Sequence, residues 1–185
     1  MTFANKITIC RILAVPFFIS AVLYYSSERD YLRYIALGIF MFAVISDVID
    51  GYIARTRHQK TKAGAILDPL ADKFLLMSAF ICLYRTGQNF GEVMLPMWFV
   101  VAVISRDISL LIGAMLIQLM HKKLVIEPTI WGKTSTFLQV LAVIGVLLQF
   151  KISVVIWPIA LIFIVISGID YIRKGIKILN EGAGK

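Results

Sequence analysis

At 185 residues, with 59% apolar side chains and only 16% charged, the chain lies well outside the composition of soluble globular domains, which run near ~45–50% apolar and ~25% charged. Together with a mean hydropathy of +0.85, this excludes a disordered chain, a collagen, a disulfide-rich secreted scaffold and an ordinary cytosolic enzyme, and predicts an all-α integral membrane bundle. The net charge of +8 fits basic cytoplasmic loops facing anionic headgroups more simply than it fits nucleic acid.

A membrane-crossing helix needs about 20 mostly apolar residues, and six stretches qualify, taken here in chain order. The first, Ile7–Tyr25, follows a short basic segment. No small-residue cleavage site comes after it and further spans follow at once, so it is expected to be a retained helix and not a signal peptide. The second, Tyr31–Ala54, carries Asp47 and Asp50 near its end, and a short basic loop leads to the third, Ala65–Tyr84, which opens with Asp68 and Asp72. The fourth, Val93–Met120, has Arg106-Asp107 midway. The fifth is Lys133–Phe150, and the sixth, Ser153–Tyr171, is followed by Arg173 and Lys174. Residues 1–185 read as one domain, without a long hydrophilic insertion, a low-complexity stretch or a clear repeat.

Orientation follows from the Lys/Arg bias. Six spans place the N-terminus, the second–third and fourth–fifth loops and the C-tail on one side, which carries twelve Lys and Arg against four on the other. Both termini are therefore expected in the cytoplasm. Cys10 and Cys82 lie inside apolar runs without a CxxC, so they are expected to be buried structural thiols, neither disulfide-bonded nor zinc-bound. Trp98, Trp131 and Trp157 fall near span ends, as interfacial anchors do. His58 and His121 fall in basic loops, as solvated or headgroup-facing residues.

The acidic residues stand out. Only eleven are present, yet Asp47, Asp50, Asp68, Asp72 and Asp107 fall within or at the ends of apolar spans. A carboxylate at a helix centre costs about 2.5–3.5 kcal/mol on insertion scales, so each implies a polar cavity, a paired cation or a metal. Asp47 and Asp50 are spaced i, i+3 and Asp68 and Asp72 i, i+4, so each pair shares a helix face. With a short loop between the two helices, four carboxylates can converge. Without a counter-charge several would protonate, and one or two divalent cations resolve the conflict. All four donors are hard oxygens, with no Cys in the stretch and its one histidine, His58, in the loop between the helices, which favours Mg²⁺, Mn²⁺ or Ca²⁺. Mg²⁺ commonly completes its shell with substrate phosphate. Gly51 and Gly64 leave room for close ligand approach, and Arg55 is placed to pair with a phosphate.

The full string is Asp47-x2-Asp50-Gly51-x2-Ala54-Arg55-x8-Gly64-x3-Asp68-x3-Asp72. It resembles the signature of the CDP-alcohol phosphatidyltransferase family at all eight fixed positions. The segment Asn5-x2-Thr8-x2-Arg11 is similar to the N-terminal helix of the bacterial phosphatidylglycerophosphate synthase branch. The resemblance implies a membrane enzyme in which an alcohol hydroxyl displaces CMP from CDP-diacylglycerol with the help of two Mg²⁺ or Mn²⁺ ions. By that pattern Asp47, Asp50 and Asp68 are metal ligands. Asp72 completes the carboxylate set and takes the proton of the attacking hydroxyl, while Gly51, Ala54, Arg55 and Gly64 line the CDP pocket. It further implies a homodimer in the bacterial inner membrane with its active site facing the cytoplasm.

Three cations are candidate acceptor-binding residues: Arg106, Lys133 and Arg173. Lys133 lies in Trp131-Gly132-Lys133-Thr134-x-Thr136, which resembles a Gly-Lys-x-x-Thr segment of phosphatidylglycerophosphate synthases. Each also has a plainer reading: Arg106 as half of a buried pair with Asp107, Lys133 as a snorkelling interfacial lysine, and Arg173 as flanking charge. One departure bears on the acceptor. Where that branch commonly has a second arginine, eight positions after Arg106, this chain has Ala114. Residues Arg106–Ala114 and Pro128-Thr129 are also similar to the cardiolipin synthases of the superfamily, whose acceptor is phosphatidylglycerol. The N-terminal helix favours glycerol 3-phosphate. A rival of another class is a proton- or cation-coupled transporter, since buried carboxylates also form proton relays. The clustering of the acids near one face and the lack of a repeat weigh against it.

Overall fold

A computed structural model gives an all-helical chain and describes residues 3–56, 62–87, 93–120 and 129–182, with side chains described over 9–49, 73–87, 93–113 and 129–174. Six α-helices follow one another: α1 (Phe3–Leu23), α2 (Tyr31–Thr56), α3 (Lys62–Thr86), α4 (Met97–Met120), α5 (Ile130–Leu147) and α6 (Ser153–Gly182), with a short 3-10 turn at Ser27–Arg29. Each coincides with one expected span. His58 and His121 lie outside the described residues.

Local chemistry accounts for the shifted ends. Pro96 cannot continue a ladder upstream, and its carbonyl receives the Phe99 and Val100 amides at the start of α4. Helix α5 begins three residues before Lys133, because the Thr129 hydroxyl accepts the Gly132 amide at 3.1 Å as an N-cap. Its end is a Schellman turn: Phe150 N–H donates to Gly145 O and Gln149 N–H to Val146 O. Gln149 holds the left-handed position, with φ at 57°, where glycine is usual. Its side chain offsets the strain, donating to Val146 O at 2.9 Å and accepting the Val93 amide at 3.3 Å. Helix α6 runs well past Tyr171, to Gly182: Arg173–Asn180 holds no proline, and helix carries through its single glycine, Gly175.

The chain divides into two compact units, residues 1–95 with 143–151, and residues 96–142 with 152–185. In the first, α1 packs against both α2 and α3, and α2 also touches α3. Phe18, Val22, Phe40, Leu75, Phe80 and Leu83 are buried there. The Phe18 and Phe40 rings meet at 5.8 Å, tilted by 43°, within the range favoured for aromatic pairs. Seven residues back along α1 and seven forward along α2, Arg11 meets Asp47. The two contacts fix an antiparallel register over two helical turns. In the second unit α4 packs along α6. Tyr171 donates its hydroxyl to Leu110 O at 3.1 Å, and a Cβ added at Gly113 would lie 2.7 Å from the Tyr171 ring, so the helices approach there at a distance only glycine allows.

The outer faces are apolar. Leu13, Phe17, Val48, Phe137, Ile162 and Ile172 are all exposed, far more contiguous apolar surface than a soluble monomer leaves to water. Among the described residues, three stretches are long and apolar enough to cross a membrane by length and composition: Tyr31–Ile49, Ile130–Leu147 and Ser153–Lys174. Ile9–Leu23 is apolar but shorter. Two expectations are corrected. Cys10 is exposed, because the apolar outer face of α1, and not the core, takes it. Trp157 is 6% exposed, a buried ring and not an outward one, whereas Trp98 and Trp131 lie outward as interfacial anchors would.

Candidate active site

Two polar regions interrupt this apolar frame, one in each unit. In the first, the backbone carries the whole eight-position pattern on helix. Asp47, Asp50, Gly51, Ala54 and Arg55 occupy the last turns of α2, and Gly64, Asp68 and Asp72 the first three turns of α3. Helical backbone at both pairs keeps the i, i+3 and i, i+4 spacings on common faces. The side chains of Asp50, Ala54, Arg55, Asp68 and Asp72 lie outside the described residues, as do the surroundings of Gly51 and Gly64. Among the described residues no group of three His, Cys, Asp or Glu side chains comes together.

Asp47 is described. Its Oδ1 lies 2.6 Å from Nη1 of Arg11, whose side chain is 1% exposed against 41% for Asp47. The pair is close enough to be ionic but is not aligned as a hydrogen bond, and Nε of Arg11 is buried with no hydrogen-bond partner among the described residues. Sequence reasoning placed Arg11 in a family-like segment but gave it no role. The signal available was a lone arginine inside an apolar span.

As to a divalent cation, the donors fit. The carboxylates are hard oxygen ligands of the kind Mg²⁺ and Mn²⁺ prefer, they lie on adjoining ends of two touching helices, and Asp47 keeps an accessible carboxylate with one oxygen committed to Arg11.

The second unit buries an arginine and its neighbour. Arg106 is 8% exposed and Asp107 fully buried. Arg106 Nη1 donates to Asp107 Oδ1 and Nη2 to Ser167 Oγ, both at 2.7 Å, tying α4 to α6. The start of α5 closes over the guanidinium: a Cβ at Gly132 would stand 3.5 Å from Arg106 Nη2 and from Ser167 Oγ. Gly132, Ser135 and Gln139, at i, i+3 and i+7, share a face of α5, and Ser135 and Gln139 are fully buried. Arg106 Nε and Gln139 Oε1 have no hydrogen-bond partner among the described residues. Lys133 and Arg173 are exposed, and no hydrogen bond or ion pair between described residues ties either to Arg106. Ser135, Gln139 and Ser167 were missed from sequence. The available signal was polar residues at helical spacing inside spans otherwise almost wholly apolar.

The chain thus carries two carboxylate pairs on the ends of α2 and α3 and, in its other unit, a buried polar centre at Arg106 and Asp107. The sequence profile of the CDP-alcohol phosphatidyltransferase family matches residues 1–166, and the chain belongs to that family of transferases of phospholipid biosynthesis. A probable phosphatidylglycerophosphate synthase of Mycobacterium tuberculosis is 32% identical over 180 residues, covering 94% of this chain and 81% of that protein. The CDP-diacylglycerol–glycerol-3-phosphate 3-phosphatidyltransferase of Aquifex aeolicus is 32% identical over 187 residues, 97% of this chain and 98% of that one. A probable cardiolipin synthase (CMP-forming) of Drosophila melanogaster is 33% identical over 161 residues, 78% of this chain but 46% of that protein. The family is generally metal-dependent. Membership removes the ground for the transporter reading.

Proposed function

We propose that this enzyme transfers the phosphatidyl group of CDP-diacylglycerol to the primary hydroxyl of glycerol 3-phosphate, giving phosphatidylglycerophosphate and CMP. The observation that carries the reaction type is the two carboxylate pairs on the adjoining ends of α2 and α3. The acceptor oxygen forms a new bond to the lipid-side phosphorus, the phosphoanhydride bond breaks, and CMP leaves with the bond electrons. Asp72 takes the hydroxyl proton. Asp47, Asp50 and Asp68, with Asp72 beside them, would hold one or two Mg²⁺ or Mn²⁺ ions, which when bound would neutralise charge on the pyrophosphate oxygens. Gly51, Ala54, Arg55 and Gly64 line the CDP pocket, with Arg55 on the pyrophosphate. Positioning and charge neutralisation carry most of the acceleration in such transfers.

Glycerol 3-phosphate is favoured as acceptor because relatives matched along nearly their whole length bear that substrate in their names. The cardiolipin synthase match spans under half of its protein. Arg106, whose Nε has no hydrogen-bond partner among the described residues, is read as the cation that receives the acceptor phosphate. Lys133 and Arg173 are the outer members of that set. Residues 1–185 act as one catalytic domain, as a homodimer of six-span subunits with both termini in the cytoplasm. The Lys/Arg bias supports that orientation, and a cytoplasmic reporter fused to either end reads it.

CMP release from CDP-diacylglycerol by purified protein with Mg²⁺ tests the reading. Release with glycerol 3-phosphate, absent with phosphatidylglycerol and lost on strong chelation, is the expected result. Release with phosphatidylglycerol alone would move the chain to the cardiolipin branch, and full activity in chelator would remove the metal assignment.

A further inference from the structure

The seam between α1 and α2 buries one charged side chain that the reaction above does not use. Arg11 is 2% exposed on a helix whose apolar stretch is Ile9–Leu23. A guanidinium is kept in such a place only when it is paired. Its one described partner is Oδ1 of Asp47, at 2.6 Å. The antiparallel register shared with Phe18–Phe40 delivers it there. Arg11 is not satisfied by the helix packing alone, since its Nε has no hydrogen-bond partner among the described residues.

We propose that Arg11 is a positioning residue of the carboxylate site: it holds Asp47 through Oδ1, so that Oδ2 is presented to the divalent cation. The inference rests on the reading of Asp47 as a cation ligand. Two effects of Arg11 on cation binding oppose each other. Its charge repels a cation, while its grip removes the rotamer freedom of a carboxylate that is 41% exposed. Water at a half-exposed carboxylate screens the repulsion. Mg²⁺ and Mn²⁺, by contrast, bind well only with oxygens held near ideal octahedral positions. Orientation therefore wins, as it does for the outer-shell partners of metal ligands generally.

The test is titration of the purified full-length protein with Mn²⁺ alone, free Mn²⁺ being read by electron paramagnetic resonance, with the metal-free melting temperature measured separately. Arg11→Gln should weaken Mn²⁺ binding by about 10–100-fold. Arg11→Lys keeps the charge but not the shape and reach that set the guanidinium against Oδ1, and should weaken it by a smaller factor while staying folded. Should Arg11→Gln fail to fold, the lysine variant decides by itself. Wild-type affinity in folded Arg11→Lys, or tighter binding in Arg11→Gln, would overturn the proposal in favour of a bare counter-charge. Asp47→Asn separates the two readings. If it leaves Mn²⁺ binding unchanged, the ligand assignment of Asp47 falls and the role of Arg11 with it. If it weakens binding while the Arg11 variants match wild type, only the Arg11 proposal falls. In the Asp47→Asn background, Arg11→Gln should add no further loss.

Discussion

Asp72 and Asp47 carry the same functional group, and their proposed roles differ by what they must do with a proton. Asp72→Asn keeps shape and hydrogen-bonding capacity but cannot accept one. It should lower the rate of CMP release by about 10²–10⁴-fold, the usual contribution of a general base, with Mn²⁺ binding and melting temperature largely retained. Turnover near wild type in that variant would take the proton away from Asp72. The four carboxylates were legible in the sequence because their cost in an apolar span is high and their spacing is set by a helix whose period is known. The partner of Asp47 was not legible. Arg11 lies 36 positions earlier, and only the register of two packed helices brings them together. Ser167 escaped for the same reason: it is an ordinary helical serine until Arg106 is found at 2.7 Å.

At the scale of elements, the α4–α6 seam depends on an absent side chain. Gly113→Ala places a methyl where the Tyr171 ring now lies, and the ring is anchored by its hydroxyl on Leu110 O. Overpacking costs about 1–3 kcal/mol and a lost hydrogen bond about 1 kcal/mol. The gain in helix propensity is about 1 kcal/mol. The variant should therefore be less stable by roughly 1–3 kcal/mol, read as a lower melting temperature in detergent, and an unchanged or higher one would mean the ring moves aside freely. Helix existence was plain from the apolar runs, and helix ends were less so. Thr129 caps α5 four residues before Lys133, and Gln149 takes a left-handed position that sequence rules reserve for glycine. Its own two side-chain hydrogen bonds make that possible, and one of them depends on Val93, more than fifty residues away. The continuation of α6 through Asn180 was hidden for another reason: hydropathy marks where lipid ends, not where the helix does.

Among the described residues every helix leaves large apolar side chains exposed, while Arg11, Arg106 and Asp107 are buried, the reverse of a soluble fold. Apolar content identified the solvent as lipid, but it could not say which apolar residues face it. Cys10 outward and Trp157 inward are the examples. The buried Arg11 then bears on how the protein is made. As α1 leaves the ribosome it offers the apolar run Ile7–Tyr25, no longer than the roughly 20 residues a span needs. It also carries a cation whose insertion alone costs up to about 2.5–3.5 kcal/mol. Relief comes only when α2 delivers Asp47. Chains ended after residue 30 should integrate poorly, and chains ended after residue 60 should integrate well, as read by glycosylation mapping in microsomes. Equal integration of both lengths would show that α1 enters unaided. On that expectation the pair of helices enters the bilayer as a hairpin, and the contact that completes insertion also brings Asp47 to its place in the proposed reaction centre.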